Sequence, residues 1–360
     1  MKKSILKTSI IAGIALVVMF VGFECITARD NTTLHVYNWS DYLSPELVSL
    51  FEKENDCNVV IDTFDDNETM LAKLMAGATG YDVVFPSSYV VSVMRRNNLI
   101  QKIDMEKLPN VKKNFDTRFN GILHEDSFVY SVPYAFSMTG IAYRKDKVDE
   151  TSLKNSWDDL KNPSLRKHIC IMNDIREMIG IGLKRNGFSN NSINEEELAK
   201  ACDYALSLKE IARRMDNVEY RIGLANGTFY AAIGYNSDIL QVIQENPETA
   251  IGFYVPEEGG NSSWDEMCIT SSSDHVELAH KFIDFLYEAK NAANNMEYVC
   301  STIPNKPMME FLDEDTKSNP LINISEELLR KLELIVDVGD NIKLYNKYWD
   351  MFTNNKKAEK

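Results

Sequence analysis

Strands and helices alternate along the first third of the chain, and this alternation is the feature that most limits the fold. Three short apolar stretches have strand character, and each is followed by a stretch with a helical apolar face. The strand-like stretches are TLHVYN (33–38), CNVVID (57–62) and YDVVFP (81–86). Strands separated by helices predict a parallel sheet with helices on its faces, where ligands bind beyond the carboxyl ends of the strands.

The rest of the chain continues the α/β pattern less regularly. Strands are predicted at 168–172, 230–235, 250–256 and within the Gly-rich stretch 258–270, and helices at 174–187, 195–215 and 275–289. With 360 residues the chain is too long for one small core. Because no Pro/Gly/Ser-rich linker separates its parts, we expect two closely joined α/β lobes.

The N-terminus has the pattern of an export signal. Three lysines precede the uncharged apolar run SIIAGIALVVMFVGF (9–23). This predicts a signal or anchor segment over 1–24 and places the rest of the chain outside the cytoplasmic membrane. Cys25 follows at the position of an acylated cysteine, but the preceding GFE lacks the usual small residues. Lipidation of Cys25, an uncleaved tethering helix and ordinary cleavage nearby all stay open.

Composition excludes some classes of partner and chemistry. The formal net charge of -15 argues against nucleic acid, because phosphate binding needs a basic patch. The GxSxG, HExxH and Walker A motifs are absent, and the five histidines are scattered. We therefore expect no enzymatic activity, no cofactor and no metal site. The remaining five cysteines form no CxxC pair and are best explained as buried apolar residues.

Aromatic residues and carboxylates follow the ends of the predicted strands. These residues are Trp39, Asp41 and Tyr42, then Ser87 and Tyr89, Asp174 and Glu177, Tyr235, and finally Trp264 and Asp265. Carboxylates form charge-assisted hydrogen bonds with ammonium groups. Aromatic faces attract cations by about 0.5 to 2 kcal/mol each. Together the residues predict a site for an organic polycation.

Each of these residues also has a purely structural explanation. Asp174 and Glu177 have the spacing of a capping box at a helix start, and taken alone the pair is better explained that way. Asp41 suits a solvated turn, and Ser87 suits a helix cap. Trp39 and Trp264 suit positions in the core. The binding hypothesis depends on all the groups occurring together.

Several segments, taken in order, resemble one family. They are LHVYNWSDYLSPELVSLFEKE, NETMLAKLMAGATGYDVVFPSSYVVSVMRRNNLIQKID, VPYAFSMTGIAYR, NDIREM and VPEEGG. From about residue 33 to about residue 305 the chain resembles the substrate-binding proteins of bacterial spermidine/putrescine ABC transporters (PotD-like proteins). The resemblance implies a type II periplasmic-binding-protein fold, in which crossover strands join two lobes that clamp the polyamine.

The resemblance also implies boundaries. Lobe 1 would comprise residues 31–134 and 265–304, and lobe 2 residues 135–264 and 305–360. One hinge would lie near residues 132–136 and another near Trp264.

The implied cleft residues are Trp39, Ser40, Asp41, Tyr42, Ser87, Tyr89, Asp174, Glu177, Tyr235, Trp264 and Asp265. By resemblance, Trp39 packs on the methylene chain, Asp174 and Glu177 bind one terminal amine, and Asp265 contacts a ligand nitrogen. Tyr235 stands where relatives have tryptophan. Part of the family's aromatic wall is missing, since Ser263 and Ser301 occupy positions where relatives have aromatic residues. Approximately at Ile335, relatives have a glutamine.

The expected function is that of a monomeric, non-enzymatic extracytoplasmic receptor. It would capture spermidine or putrescine and deliver it to the membrane permease of an ABC transporter. Two alternatives stay open. One is a two-lobed receptor for another solute, such as a sugar, an anion or ferric ion, and the other is a surface protein that acts through protein contacts.

Overall fold

The computed structural model describes residues 32–354. The predicted signal segment and Cys25 lie outside the described residues. None of the helices within residues 32–354 is long and apolar enough to span a membrane.

Ten strands and thirteen α-helices occur within the described residues. The strands are β1 Thr33–Trp39, β2 Asn58–Phe64, β3 Val83–Val84, β4 Val132–Arg144, β5 Ile169–Ile171, β6 Arg214–Met215, β7 Ala231–Tyr235, β8 Ile251–Tyr254, β9 Gly260–Ile269 and β10 Leu332–Leu334. The helices are α1 Pro45–Asn55, α2 Asn67–Met75, α3 Ser88–Arg96, α4 Pro109–Asn114, α5 Ile175–Arg185, α6 Glu195–Ile211, α7 Glu219–Asn226, α8 Asn236–Glu245, α9 Val276–Leu286, α10 Ala289–Val299, α11 Glu314–Ser318, α12 Glu326–Lys331 and α13 Ile342–Thr353.

The N-terminal strands form the predicted parallel sheet. β1 lies between β2 and β3 and is parallel to both. β3 continues the sheet to β9, which runs antiparallel. Because β1, β2 and β3 point the same way, the segments that follow them meet at one edge, and Trp39 and Ser87 both lie there.

β4 and β9 run through the middle of the molecule as an antiparallel pair. The first half of β4 pairs with β9, including Phe136 opposite Trp264. The second half of β4 pairs with β7 and β8. The end of β9 pairs with β3. The two long strands therefore connect both lobes, and the segments where the resemblance placed the hinges are paired with each other.

The second lobe repeats the α/β arrangement around β7. β5 is parallel to β7 and β6, and β10 is parallel to the start of β9. Helices α5, α6 and α13 enclose one core with the buried residues Trp157, Leu198 and Tyr345. The lobe boundaries given above stay a prediction.

The helix predicted at 195–215 extends four residues beyond the end of the observed helix α6. α6 ends at Ile211, and Ala212 has extended backbone angles (φ -62°, ψ 148°). Arg214 and Met215 then pair with β5 as β6. Helical periodicity continues in the sequence past Ile211, but pairing with an edge strand overrides it.

All five cysteines in the described part of the chain are free and buried, as predicted.

Candidate functional site

One face of the β4–β9 pair is the candidate floor of the predicted cleft between the lobes. Successive side chains of a strand point to opposite faces, so Asn261, Ser263 and Asp265 share one face of β9. Ser137 lies opposite Ser263 and Ala135 opposite Asp265 on β4. Ser137, Ser263 and Asp265 are partly exposed, whereas their neighbours along the strands are buried. This face is therefore the more accessible face of the two strands.

Asp265 is held at one end of this floor by groups from the first lobe. The Ser87 hydroxyl donates to its Oδ1 over 2.8 Å, and the Tyr42 hydroxyl donates to its Oδ2 over 2.9 Å. Burial raises the pKa of Asp265 to about 6, and these two hydrogen bonds oppose that rise. The carboxylate is oriented by neutral donors, and no ion pair within residues 32–354 involves it, which leaves its charge available to a ligand.

The Tyr42 hydroxyl stays protonated at neutral pH. Burial and then the charge of Asp265 raise the pKa of Tyr42 well above its ordinary value. The ring contacts Tyr134 edge-on, with centroids 5.5 Å apart. Tyr42 therefore acts as a fixed hydrogen-bond donor rather than as a charged group.

Trp39 lies at the end of β1 and forms part of the cleft wall. Its ring is partly exposed and lies 4.4 Å from the ring of Phe64, centroid to centroid. The indole Nε1 has no hydrogen-bond partner within residues 32–354. One face of the ring is thus supported by the core while the side chain still reaches solvent.

Ser40 and Asp41 follow Trp39 and are exposed. Asp41 has a positive φ of 53°, which an aspartate tolerates in a tight turn. Among the described residues, no hydrogen bond joins Ser40 or Asp41 to Asp265 or Glu177. Both residues therefore lie at the exposed edge of the candidate site, called the rim here. Their contact with a ligand stays a prediction.

Asn67 is a cleft residue that the sequence analysis missed. Its Nδ2 donates to the hydroxyls of Ser87 and Tyr89 over 3.1 Å each, and its Oδ1 accepts from the Ser87 backbone N–H over 3.1 Å. Asn67 starts α2 just beyond the end of β2. The rule that ligands bind beyond the ends of parallel strands points to Trp39 and Ser87, and it therefore also points to Asn67.

Asp174 and Glu177 form the opposite end of the floor, on the second lobe. The Asp174 side chain caps α5, because its Oδ1 accepts from the Glu177 N–H over 2.9 Å. Glu177 Oε2 instead accepts from the Thr139 hydroxyl over 2.7 Å and from Asn261 Nδ2 over 2.9 Å. The capping explanation is thus correct for Asp174, whereas Glu177 is directed to the cleft floor.

Glu177 is a strongly perturbed carboxyl group. It is 3% exposed. Burial, followed by the charge of Asp174, raises its pKa to about 7. The charge of Arg176, a residue also absent from the predicted set, opposes this shift weakly. Its guanidinium donates to the Val336 carbonyl and to Asn191 Oδ1.

Two tyrosines, Tyr235 and Tyr89, have pKa values that burial and nearby acids raise. Tyr235 lies opposite Thr139 in the sheet, and burial and then the charges of Glu177 and Asp174 raise its pKa. Burial also raises the pKa of Tyr89, to which the charges of Asp174 and Asp265 both contribute. The hydroxyls of Tyr235 and Tyr89 therefore stay protonated at neutral pH and act as neutral hydrogen-bonding groups.

Trp264 is not a cleft residue, which corrects the prediction. It is fully buried, its Nε1 donates to the Ile122 carbonyl over 2.8 Å, and its ring packs against Phe119 and Phe136. It precedes Asp265 by one residue, so it points to the opposite face of β9. The core position considered as the alternative is confirmed.

The match of Ser263, Ser301 and Ile335 to larger residues of the family stays a prediction, and Ser301 lies beside the Tyr42 hydroxyl. Ser263 faces the cleft, while Ser301 and Ile335 are buried. No cluster of metal-ligating side chains occurs within residues 32–354.

Comparison with known proteins decides the family. Residues 78–331, more than half of the chain, match the family described as bacterial extracellular solute-binding protein. The chain belongs to this family. Residues 1–122 also match a family described as hypothetical lipoprotein (MG045 family).

Individual relatives cover nearly the whole chain. One is a putrescine-binding periplasmic protein, SpuD, from Pseudomonas aeruginosa, 31% identical over 325 residues, which are 86% of this chain and 89% of the relative. A putative spermidine/putrescine ABC transporter structure from Listeria monocytogenes aligns with a TM-score of 0.80 and 31% identity, covering 91% of this chain and 100% of that one. The substrate-binding protein PotD of Streptococcus pneumoniae aligns with a TM-score of 0.81 and 29% identity, covering 90% of this solute-binding protein and 98% of that chain.

Proposed function

We propose that this solute-binding protein is an extracytoplasmic receptor for a polyamine, which it delivers to the permease of an ABC transporter. The observation that carries the proposal is the pair of carboxylates, Glu177 and Asp265, at the two ends of one cleft floor. Within residues 32–354 their hydrogen-bond partners are neutral side chains. A poorly solvated carboxylate without a counter-charge is costly, and an ammonium group of the ligand removes that cost.

The spacing of the two carboxylates suits a diamine unit. From Asn261, which holds Glu177, to Asp265 is four residues of strand, or about 13 Å. A chain of five bonds advances about 6 Å. Two ammonium–carboxylate hydrogen bonds of about 2.8 Å each extend this to about 12 Å. A four-carbon diamine unit with its two hydrogen bonds is therefore close to the length of this stretch of strand, which supports a diamine or a longer polyamine as the ligand.

The aromatic side chains complete the proposed site. Trp39, Tyr89 and Tyr235 surround the floor and offer faces for the methylene chain and the ammonium groups. Asp174 joins Glu177 at one end. Asp41 lies beyond Asp265 on the rim and is the proposed partner of a third ammonium group. The names of the relatives, which include putrescine-binding and spermidine/putrescine-binding proteins, support this ligand class.

The remaining assignments follow from the same role. The receptor binds and releases its ligand unchanged, so we assign it no catalysis. The export signal and the lipoprotein-family match over residues 1–122 support attachment to the membrane through the N-terminal segment or a lipid on Cys25. We propose that it acts as a monomer.

Titration calorimetry with spermidine and putrescine at pH 7.5 tests the proposal. We expect saturable one-to-one binding and a ligand-dependent rise in melting temperature, since a ligand specific for the folded state stabilises it. Absence of both heat and thermal shift at millimolar polyamine would refute it. Lysine and a sugar serve as control ligands, because lysine carries a carboxylate beside one of its two ammonium groups and a sugar carries no ammonium group.

A further inference from the structure

Residues 335–339, called the strap here, lie across the junction of the two lobes. The strap directly follows β10, which pairs with the start of β9. The Ile335 N–H continues this pairing by donating to the Ser262 carbonyl over 2.9 Å. The strap therefore begins on the second lobe, next to the cleft floor.

The strap is bound to the helix that carries the acid pair. Asn191 Oδ1 accepts from the Val336 N–H over 3.0 Å, and Arg176 Nη1 donates to the Val336 carbonyl over 2.7 Å. The Arg176 guanidinium also lies over the ring of Tyr345, 4.7 Å from its centroid. Arg176 immediately precedes Glu177, so the backbone of the strap moves with this end of the cleft.

The side chain of Asp337 reaches the first lobe. Its Oδ1 accepts from the Gly339 N–H over 2.8 Å, which fixes the turn of the strap, and its Oδ2 forms an ion pair with Arg96. Arg96 is the last residue of α3, the helix that begins at Ser88, between the site residues Ser87 and Tyr89. The Arg96–Asp337 ion pair thus links α3, which begins beside Ser87, to the strap. The strap in turn is bound to Arg176 of α5 on the other lobe.

We propose that the Arg96–Asp337 pair is a latch that favours the closed cleft and slows release of the ligand. The inference builds on the proposed receptor function. Opening the lobes separates α3 from the strap, so the pair stabilises only the closed state. The Arg96 side chain is 53% exposed and that of Asp337 19% exposed. A pair with this exposure changes an equilibrium by about two- to fivefold.

Three variants test the latch: Asp337→Asn, Arg96→Gln and the double variant. Asparagine keeps the Oδ1 acceptor for Gly339, so the turn is preserved while the charge is removed. Glu326→Gln is the matched control, because Glu326 pairs with Arg330 on the surface of one helix within the second lobe. Stopped-flow release of spermidine gives the dissociation rate, and small-angle scattering of the ligand-free proteins gives the radius of gyration.

Each single variant should release spermidine about two- to fivefold faster, with little change in the association rate. The double variant should release it no faster than either single variant, since one interaction is lost in all three. Added salt should bring the wild-type rate toward the variant rates. The control should behave as the wild type.

Equal release rates in all proteins, or additive effects of the two single changes, would overturn the latch. The scattering measurement separates this result from failure of the receptor function. If the wild type binds no polyamine but the latch variants expand relative to the control, the function is wrong and the latch stands. If neither the rate nor the radius changes, the latch is wrong.

Discussion

Polyamine affinity should fall as the pH is lowered through about 6, because the ligand binds the ionised form of Asp265. Burial raises the pKa of this group to about 6 in the ligand-free protein. A bound ammonium group favours the carboxylate and lowers that pKa again, so binding releases protons. The polyamine itself does not titrate here, since alkyl ammonium groups have pKa values of about 10.

The size of the effect follows from the ionised fraction. With a pKa of about 6, Asp265 is about 97% ionised at pH 7.5 and about 9% ionised at pH 5. Affinity should therefore fall about tenfold over this interval from Asp265 alone, or about 1.4 kcal/mol. Glu177, whose pKa burial raises to about 7, acts in the same direction. The total loss should exceed tenfold.

Calorimetry from pH 5 to pH 8 in two buffers of different ionisation enthalpy measures both the affinity and the protons released. Melting curves at each pH confirm that the protein stays folded. The Asp265→Asn variant is the control: it should bind more weakly at pH 7.5 and show a shallower pH dependence. A pH-independent affinity in the folded wild type, or tighter binding at pH 5, would refute the reasoning.

Three further results are expected. Asp265→Ala should weaken polyamine binding more than Trp39→Ala in calorimetry, because a buried ammonium group without its partner keeps its desolvation cost; equally mild effects would contradict the placement of the cleft. Asp174→Asn should leave the melting temperature nearly unchanged, since asparagine also caps helices, but should reduce affinity; unchanged affinity would mean that Asp174 is only a cap. Spermidine should bind at least as tightly as putrescine in competition calorimetry if Asp41 contacts its third ammonium group, and a clear preference for putrescine would show that it does not.

The buried Glu266 gives a stability prediction on the other face of the same strand. It is fully buried, the Ser127 hydroxyl donates to its Oε1 over 3.0 Å, and burial raises its pKa to about 7. The folded state thus holds this proton more tightly than the unfolded state, so its contribution to stability falls as the pH rises from about 4.5 to 7. Glu266→Gln should raise the unfolding free energy by about 3 kcal/mol at pH 8 and by less than about 1 kcal/mol at pH 5, measured by urea unfolding. Destabilisation at pH 8 would contradict this account.

The sequence by itself determined the local elements and the kind of residue at the strand ends. Alternation of apolar strands and amphipathic helices predicts the parallel sheet of β1, β2 and β3, and the rule that ligands bind beyond such strands selects Trp39 and Ser87. Asp265 is predicted at the close of the Gly-rich loop, together with the resemblance to polyamine-binding proteins, whereas the structure places it within β9. These signals are local, because the side-chain periods of helices and strands are local properties of the backbone.

Only the tertiary structure decided which side chains meet and which way they point. Ser87 and Tyr42 meet Asp265 across 178 and 223 residues of chain, and no periodicity encodes that contact. Trp264 and Asp265 differ by one position in β9 and so lie on opposite faces, and pairing with β4 determines which face is the cleft. The Glu177 side chain accepts hydrogen bonds from Thr139 and Asn261, which the pairing of β4 and β9 brings to it, and no local pattern in the sequence encodes these partners.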